Sequence, residues 1–530
     1  MSVHAADVDV VVVGGGHNGL VAAAYLARAG LRVRLLERLE QLGGAAVSAQ
    51  AFDGVGVRIS RYSYLVSLLP PRIVDDLGAR VRLARRPFSS YTPDPATGGR
   101  SGLLIGAHGA TFAAVGAADD AHGFAAFYQR CRLVTGRLWP TLLEPLRGRE
   151  EARRYVVARG DHRAAAAWRA MIEEPIGGAI AAAVGNDLVR GVIATDALIG
   201  TFARLDDPSL TQNVCFLYHV LGGGTGDWDV PIGGMGALTA ALATAAVGHG
   251  AEILAGAEVY AIDPSGEVRY RIGELEHRVR ARFVLAGVTP TVLAGLLGER
   301  PTPTATGAQV KVNMVLGRLP RLRDRGVTPA QAFAGTFHAN QTWTQLDAAY
   351  AQASAGQAPN PLPCEAYCHS LTDPSILSDD LRDSGAQTMT VFGLHTPHSL
   401  LRNADPDALR DQLTDKVLVS LNSVLAEPIQ DLLLHDAHGR PCIETTTTSD
   451  LERTLRMSGG NIFHGGLRWP FADDDDPLDT PARRWGVATA HERIMLCGSG
   501  ARRGGAVSGI GGHNAAMAVL ASVASGGQST

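Results

Sequence analysis

Gly14-Gly15-Gly16-His17-Asn18-Gly19 fits the pattern G-x-G-x-x-G at Gly14, Gly16 and Gly19, and an acid, Glu37, follows Gly19 by 18 positions. Those residue types at that spacing suit the binding of a dinucleotide. Gly14 permits a tight turn, Gly16 lets the backbone approach a pyrophosphate, and Gly19 lets a helix pack close to a sheet. A carboxylate roughly 20 residues further on accepts from ribose hydroxyls. His17 and Asn18 lie inside the loop and are expected to touch the bound group. In a chain with 62 glycines the pattern alone is weak, and a glycine-rich turn between strand and helix is the plain alternative.

The elements that must position the loop stand in the right order around it. Val8 to Val13 has the composition of a short buried strand. A helical stretch follows, with Leu20, Ala23, Ala24, Ala27 and Leu31 on one face, and a second strand from Val33 to Leu36 ends at Glu37. A helix that starts at the loop offers free N–H groups and about half a unit of positive charge to phosphates. Beyond Glu37, the run from Arg38 to Ser48 holds Gly43-Gly44 and then Ala45-Ala46. It resembles the Arg-x-x-x-x-Gly-Gly extension of FAD enzymes of the glutathione-reductase-like superfamily, which NAD domains generally lack. The resemblance implies FAD, with Arg38, Gly43, Gly44, Ala45 and Ala46 among its contacts.

At 530 residues and 55.6 kDa the chain can bury a large core and should divide into two or more domains. A net charge of −4 gives no reason to expect a nucleic-acid partner. The arginines at 147, 149, 153 and 154 interleave with Glu144, Glu150 and Glu151, as on a solvated helix face, and Asp473 to Asp476 suits a polar loop tip. Six scattered cysteines form neither a C-x-x-C pair nor a zinc pattern, and no histidine cluster suggests a metal. No run approaches the roughly 18 apolar residues that cross a bilayer. With no visible secretory signal, the expectation is a cytoplasmic protein acting on a small molecule, with peripheral membrane contact and homo-oligomerisation left open.

Residues 115 to 200 suit mostly helix. Glycine-rich runs at 222–226 and 233–236 neither follow a strand nor lead to a ribose acid, so no second nucleotide domain is expected. The strand at 309–315 alternates, with Gln309, Lys311 and Asn313 on one face and Val310, Val312 and Met314 on the other. Ile494 to Gly498 returns to the character of a buried strand, and a small-residue helix closes the chain. The two ends therefore belong to one domain. The expected fold is α/β: a glutathione-reductase-like, FAD-binding Rossmann domain built from residues 1–90, 228–300 and 486–530. An α+β substrate domain at 91–227 and 301–485 is inserted into it.

Several stretches recur together in one group: Gly14 to Ala23, Gly43 to Val47, Gly233-Gly234-Met235-Gly236, Gly460-Asn461-Ile462-Phe463-His464-Gly465 and Cys497-Gly498-Ser499-Gly500. From about residue 8 to 520 the chain resembles the phytoene-desaturase-like branch of the flavin amine oxidase superfamily, nearest to the group of pyridine nucleotide-disulphide oxidoreductase domain-containing protein two. The group's name suggests a redox disulphide, but no cysteine precedes Cys131. The resemblance implies a single FAD. Val259 would meet the adenine by its backbone, Gly498 and Ser499 would lie by the ribityl phosphate, and a helix opening near Val507-Ser508 would point at the flavin N1–C2=O edge. Where the family has a His-Pro pair this chain has Arg502-Arg503.

Two residues are candidates for chemistry. Lys311 is one of only two lysines, with Lys416, among 48 basic residues. In flavin amine oxidases a lysine on the corresponding strand holds a water against flavin N5, and an ammonium there stabilises reduced flavin. The bland alternative is a solvent-facing lysine. His464 follows Asn461-Ile462-Phe463 and could serve as acid or base, or simply be buried. Tyr62, Tyr64, Tyr218 and His219 are candidates for a cavity wall. The expected activity is hydride transfer from a C–H bond of a small, largely apolar substrate, polyene-like or an amine, to flavin N5, with oxygen or a quinone as acceptor. A redox-neutral isomerase using reduced FAD, or a flavin-bound regulatory protein without turnover, would fit the same motifs.

Overall fold

The computed structural model describes residues 7–107 and 109–526. Its first layer is a parallel sheet around β1 (Val8–Val13). α1 (His17–Arg28) crosses to β2 (Val33–Leu36), and the further members are β3 (Glu252–Leu254), β6 (Leu275–Ala286) and β7 (Ile494–Leu496). The order is β3-β2-β1-β6-β7, every pair parallel. β1 is central, so both of its faces are covered. Its valines at 10, 11 and 12 are fully buried, each worth roughly 1.5–3 kcal/mol. The first half of β6 extends beyond the parallel sheet and forms an antiparallel meander with β4 (Ala257–Ile262) and β5 (Glu267–Ile272). α1 lies between α2 (Met235–Gly248) and α3 (Ile510–Gly526), which brings the two ends of the chain together.

The second layer is an eight-stranded sheet of different ancestry along the chain. Its order is Ile443–Thr446, Val310–Leu316, Gln387–Gly393, Cys364–Tyr367, Thr336–Ala339, Phe88–Pro93, Gly102–Gly106 and Gly109–Ala110. Only the pairing of Thr336–Ala339 with Phe88–Pro93 is parallel. One face carries its own apolar core, closed by the helix Pro406–Asn422. Residues 115 to 200 are mostly helical, as expected, and the helices between 120 and 221 pack on the first layer's core.

Two expectations need correction. The boundary placed at residue 90 falls inside the strand Phe88–Pro93, which pairs within the second sheet, so the crossing precedes Phe88. Gly233-Gly234 does follow a strand, Asp229–Pro231, and opens α2. That strand pairs with Leu83–Arg85 in a separate two-stranded ribbon, so it is no second nucleotide fold. Asp473 to Asp476 is an exposed polar turn, as expected, and it is tied to its neighbours. Asp473 accepts from Arg149 (3.0 Å), Asp474 caps the backbone of Glu150 (3.0 Å), and Asp476 accepts from Arg502 (2.8 Å).

Candidate active site

The loop between β1 and α1 is built as its glycines require. Gly14 has φ +102°, a conformation that a side chain resists. A Cβ at residue 19 would fall 2.1 Å from the Gly14 carbonyl oxygen, so the helix could not seat against the loop. A Cβ at Gly16 would meet nothing within 4 Å, because that side of the loop faces a cavity. Gly16 is also the N-cap of α1 without a side-chain cap, and no acid stands in the first turn. The N–H groups there remain free for an anion.

Glu37 is 8% exposed and is held by the loop it serves: its carboxylate accepts from the N–H of Gly15 (2.6 Å) and of Leu39 (2.8 Å). Both oxygens keep lone pairs toward the cavity. Arg38 donates to Thr454 O (2.6 Å), clamping the segment that carries Leu451, Leu455 and Arg456 over the same end. Val259 lies on the wall there, as do Gly44 and Ala45 further in. Gly43, Ala46 and Ser508 stand behind the wall. Gly43 N–H donates to Gly15 O (2.9 Å), Ala46 is fully buried, and the Ser508 hydroxyl accepts from Ile510 N–H (3.2 Å) at the start of α3.

The C-terminal segment supplies the opposite rim through Gly498, Ser499, Ala506 and Val507. His17 Nε2 donates to Ala506 O (3.1 Å), and the Asn18 amide donates to Gly504 O (3.4 Å), so the two loops hold one another. Arg503 gives the departure from His-Pro a structural role. Fully buried, it donates to the carbonyls of Thr141 (2.7 Å), Leu142 (2.9 Å) and Glu144 (2.9 Å), at the end of the short helical turn Trp139–Leu143. Burial draws its pKa down to about 10, which leaves it charged at neutral pH. Arg503→Met is expected to lower stability by about 3 kcal/mol, read from the denaturant midpoint, because three charge-assisted contacts are lost, although Leu142 O still accepts from Asn514 and Thr141 O from the Glu144 N–H.

Lys311 is no surface lysine. All seven residues of its strand are buried, since the polar face is covered by the segment carrying Ser60 and Arg61. Nζ donates to Ser60 O (2.7 Å) and Arg61 O (3.0 Å) and lies 5.0 Å from the centroid of Tyr64, leaving one N–H toward the cavity. Burial pulls its pKa well below the ordinary lysine value. His464 also lines the cavity, in the left-handed region at φ 62°, with Nδ1 unpartnered among the described residues. Burial takes its pKa to about 4, as it does that of neighbouring His17, so both rings are neutral near pH 7.

Tyr62, Tyr64, Tyr218 and His219 all reach the same wall. The residues that sequence reasoning missed lie beyond them: Arg86, Tyr128, Asp196, Glu365 and Tyr367. They come from four separate stretches of chain, Glu365 and Tyr367 sharing the strand Cys364–Tyr367, and no spacing marked them in advance. The whole is one cavity of about 710 Å³, inside the roughly 300–1,000 Å³ range of ligand sites. It runs from the glycine loop and Val259 to Arg86 and Glu365. The six cysteines are buried and free.

The profile described as NAD(P)-binding Rossmann-like domain matches residues 12–72. A solved structure of putrescine oxidase with putrescine aligns over 98% of this chain and 99% of its own at a TM-score of 0.57 and 15% identity, a likeness of fold. An uncharacterised protein of Mycobacterium tuberculosis is 75% identical over 99% of both chains. Pyridine nucleotide-disulfide oxidoreductase domain-containing protein 2 of Rattus norvegicus is 30% identical over 97% of this chain and 93% of its own. The chain belongs to that protein's family, an oxidoreductase family, with a dinucleotide-type cofactor site.

Proposed function

We propose that this protein is an FAD-dependent oxidoreductase that removes hydride from a C–H bond of a small organic molecule and passes the electrons on to oxygen or a quinone. The observation that carries this reading is the continuity of the cavity. One void joins the open face of Gly16 and the carboxylate of Glu37 to the buried Lys311 and the tyrosines beyond. The donor set fits FAD. Free N–H groups at the start of α1 suit the pyrophosphate, Glu37 suits the ribose of the adenosine, and Gly44, Ala45 and Gly498 bring backbone close to the chain between. Bound there, FAD supplies a two-electron acceptor.

The protein's own residues do the rest. The α1 N-terminus and Glu37 anchor the cofactor, while the Tyr62–Tyr64 segment and the second sheet close the cavity against water. Lys311, fixed by two carbonyls, directs its remaining N–H into the cavity and orders water or a reacting oxygen. His464 and His17, both neutral, donate or accept hydrogen bonds without adding charge beside the ring site.

Purified protein should be yellow, release FAD on denaturation and bleach anaerobically with substrate. Product of unchanged mass would instead mark the redox-neutral isomerase, and colourless protein that takes up no FAD would end the reading. Lys311→Met is expected to slow reoxidation of reduced flavin by oxygen about tenfold or more, as loss of a charge-assisted contact would, in stopped-flow traces. An unchanged rate removes Lys311 from that step.

A further inference from the structure

Past Tyr64 and Tyr367 the cavity ends in a charged lobe that cofactor binding does not use. Arg86 is its cation. Nε donates to Trp228 O (3.1 Å) and Nη1 to Thr336 Oγ1 (3.0 Å), and its other N–H groups have no partner among the described residues. No carboxylate pairs with it there, although Glu365 and Asp196 are both near enough to be felt. Glu365 is already committed. One oxygen accepts from Thr195 Oγ1 (2.6 Å), the other from the Tyr367 hydroxyl. Asp196 lines the lobe with no hydrogen bond to its carboxyl among the described residues. Burial and the charge of Glu365 push it up to about 8, so near pH 7 it is mostly a neutral O–H donor. His338 donates from Nδ1 to Gln341 (2.6 Å), His219 from Nδ1 to Cys215 O (2.8 Å), and burial keeps both neutral.

Arg86 is the lobe's cation and keeps unpartnered N–H groups among the described residues, while Glu365, its anion, already accepts a hydrogen bond at each oxygen. An ammonium would have to sit beside Arg86 to reach Glu365. A carboxylate would find a guanidinium with spare N–H groups and an acid proton beside it. We propose that the lobe binds the carboxylate of an organic acid, seated on Arg86 and Asp196, whose carbon chain runs back along Tyr367 and Tyr64 toward Lys311. This deepens the proposed function, since it rests on the reacting centre lying at the Lys311 end. The rings set the length. Arg86 lies 5.9 Å from the Tyr367 centroid, Tyr367 4.8 Å from Tyr64, and Tyr64 5.0 Å from Lys311 Nζ. A chain spanning two tilted rings is of medium length, and Phe392 beside Tyr64 (6.2 Å) keeps its surroundings apolar.

Calorimetric titration of the protein as isolated, at pH 7, with octanoate, octan-1-ol and octylamine tests this without turnover. Octanoate is expected to bind with a Kd about tenfold or more below those of the other two, as a charge-assisted contact implies. Arg86→Gln should abolish that preference and Arg86→Lys should restore part of it. Octylamine or octanol binding as tightly as octanoate would overturn the proposal, as would Arg86→Gln retaining the preference. If Arg86→Gln does not fold, the three-ligand comparison on the unaltered protein and on Arg86→Lys decides. Yellow protein without the preference refutes the carboxylate lobe alone. Colourless protein that keeps it refutes the flavin alone.

Discussion

Gly16→Val is expected to yield folded protein that no longer holds its cofactor. The position has φ −68° and ψ 168°, extended backbone that valine adopts without strain, and nothing in the chain lies within 4 Å of an added Cβ. The branches would project into the space a pyrophosphate needs. An overpacking cost of about 1–3 kcal/mol at such a contact corresponds to roughly ten- to a hundredfold weaker binding. Gly19→Ala is the contrasting variant. Its methyl group would lie 2.1 Å from the Gly14 carbonyl oxygen, so α1 or the loop must shift, and the cost falls on stability at about 1–3 kcal/mol. The two variants separate in two measurements: flavin per protein after dialysis, and the denaturant midpoint of the cofactor-free form. If Gly16→Val keeps full flavin, the cofactor is not carried on this loop.

Asp196→Asn should melt at a higher temperature than the unaltered protein at pH 8.5 and at nearly the same temperature at pH 4. The sign follows from linkage. Asp196 is raised to about 8 in the folded state, so between its ordinary carboxylate value and that point the native protein holds a proton that the unfolded chain has lost. Stability therefore falls as pH climbs from about 4 to 8, and the amide abolishes that loss while keeping the shape. Glu365 opposes ionisation of Asp196, and Arg86 favours it. A gap in Tm of about 2 °C or more that opens with pH is the expected result for a change of a kcal/mol or so. Parallel Tm profiles for the two proteins would mean that Asp196 is ionised at ordinary pH, which would leave Arg86 facing a carboxylate and weaken the case for an anionic ligand.

The anchoring half of the site was legible because its parts are local. A glycine turn must sit between a buried strand and a helix, and the acid that faces it must end the next strand. Spacing along about thirty residues therefore encodes the geometry. The return of the C-terminus to the same domain could be read from the short apolar strand and small-residue helix at its end. Lys311 shows where such reading stops. Its alternating strand predicted two faces correctly, yet alternation does not tell water from another protein layer. The segment carrying Ser60 and Arg61 covers the polar face, and a lysine that the pattern allowed to be exposed is buried on two carbonyls. Arg503 is similar: as a letter it broke a familiar pair, and only its three carbonyl partners show what it holds.

By itself the amino-acid order determined the dinucleotide loop, its acid, the α/β architecture and the joining of both chain ends. Those follow from short-range periodicity and from backbone conformations that only glycine takes readily. Tertiary structure alone decided the character of the far lobe. Arg86, Asp196 and Glu365 are hundreds of residues apart in part and unremarkable one by one. Packing removes water from around them, leaves one acid hydrogen-bonded at both oxygens and another protonated, and so gathers three scattered groups around a guanidinium with spare N–H groups at one end of a cavity.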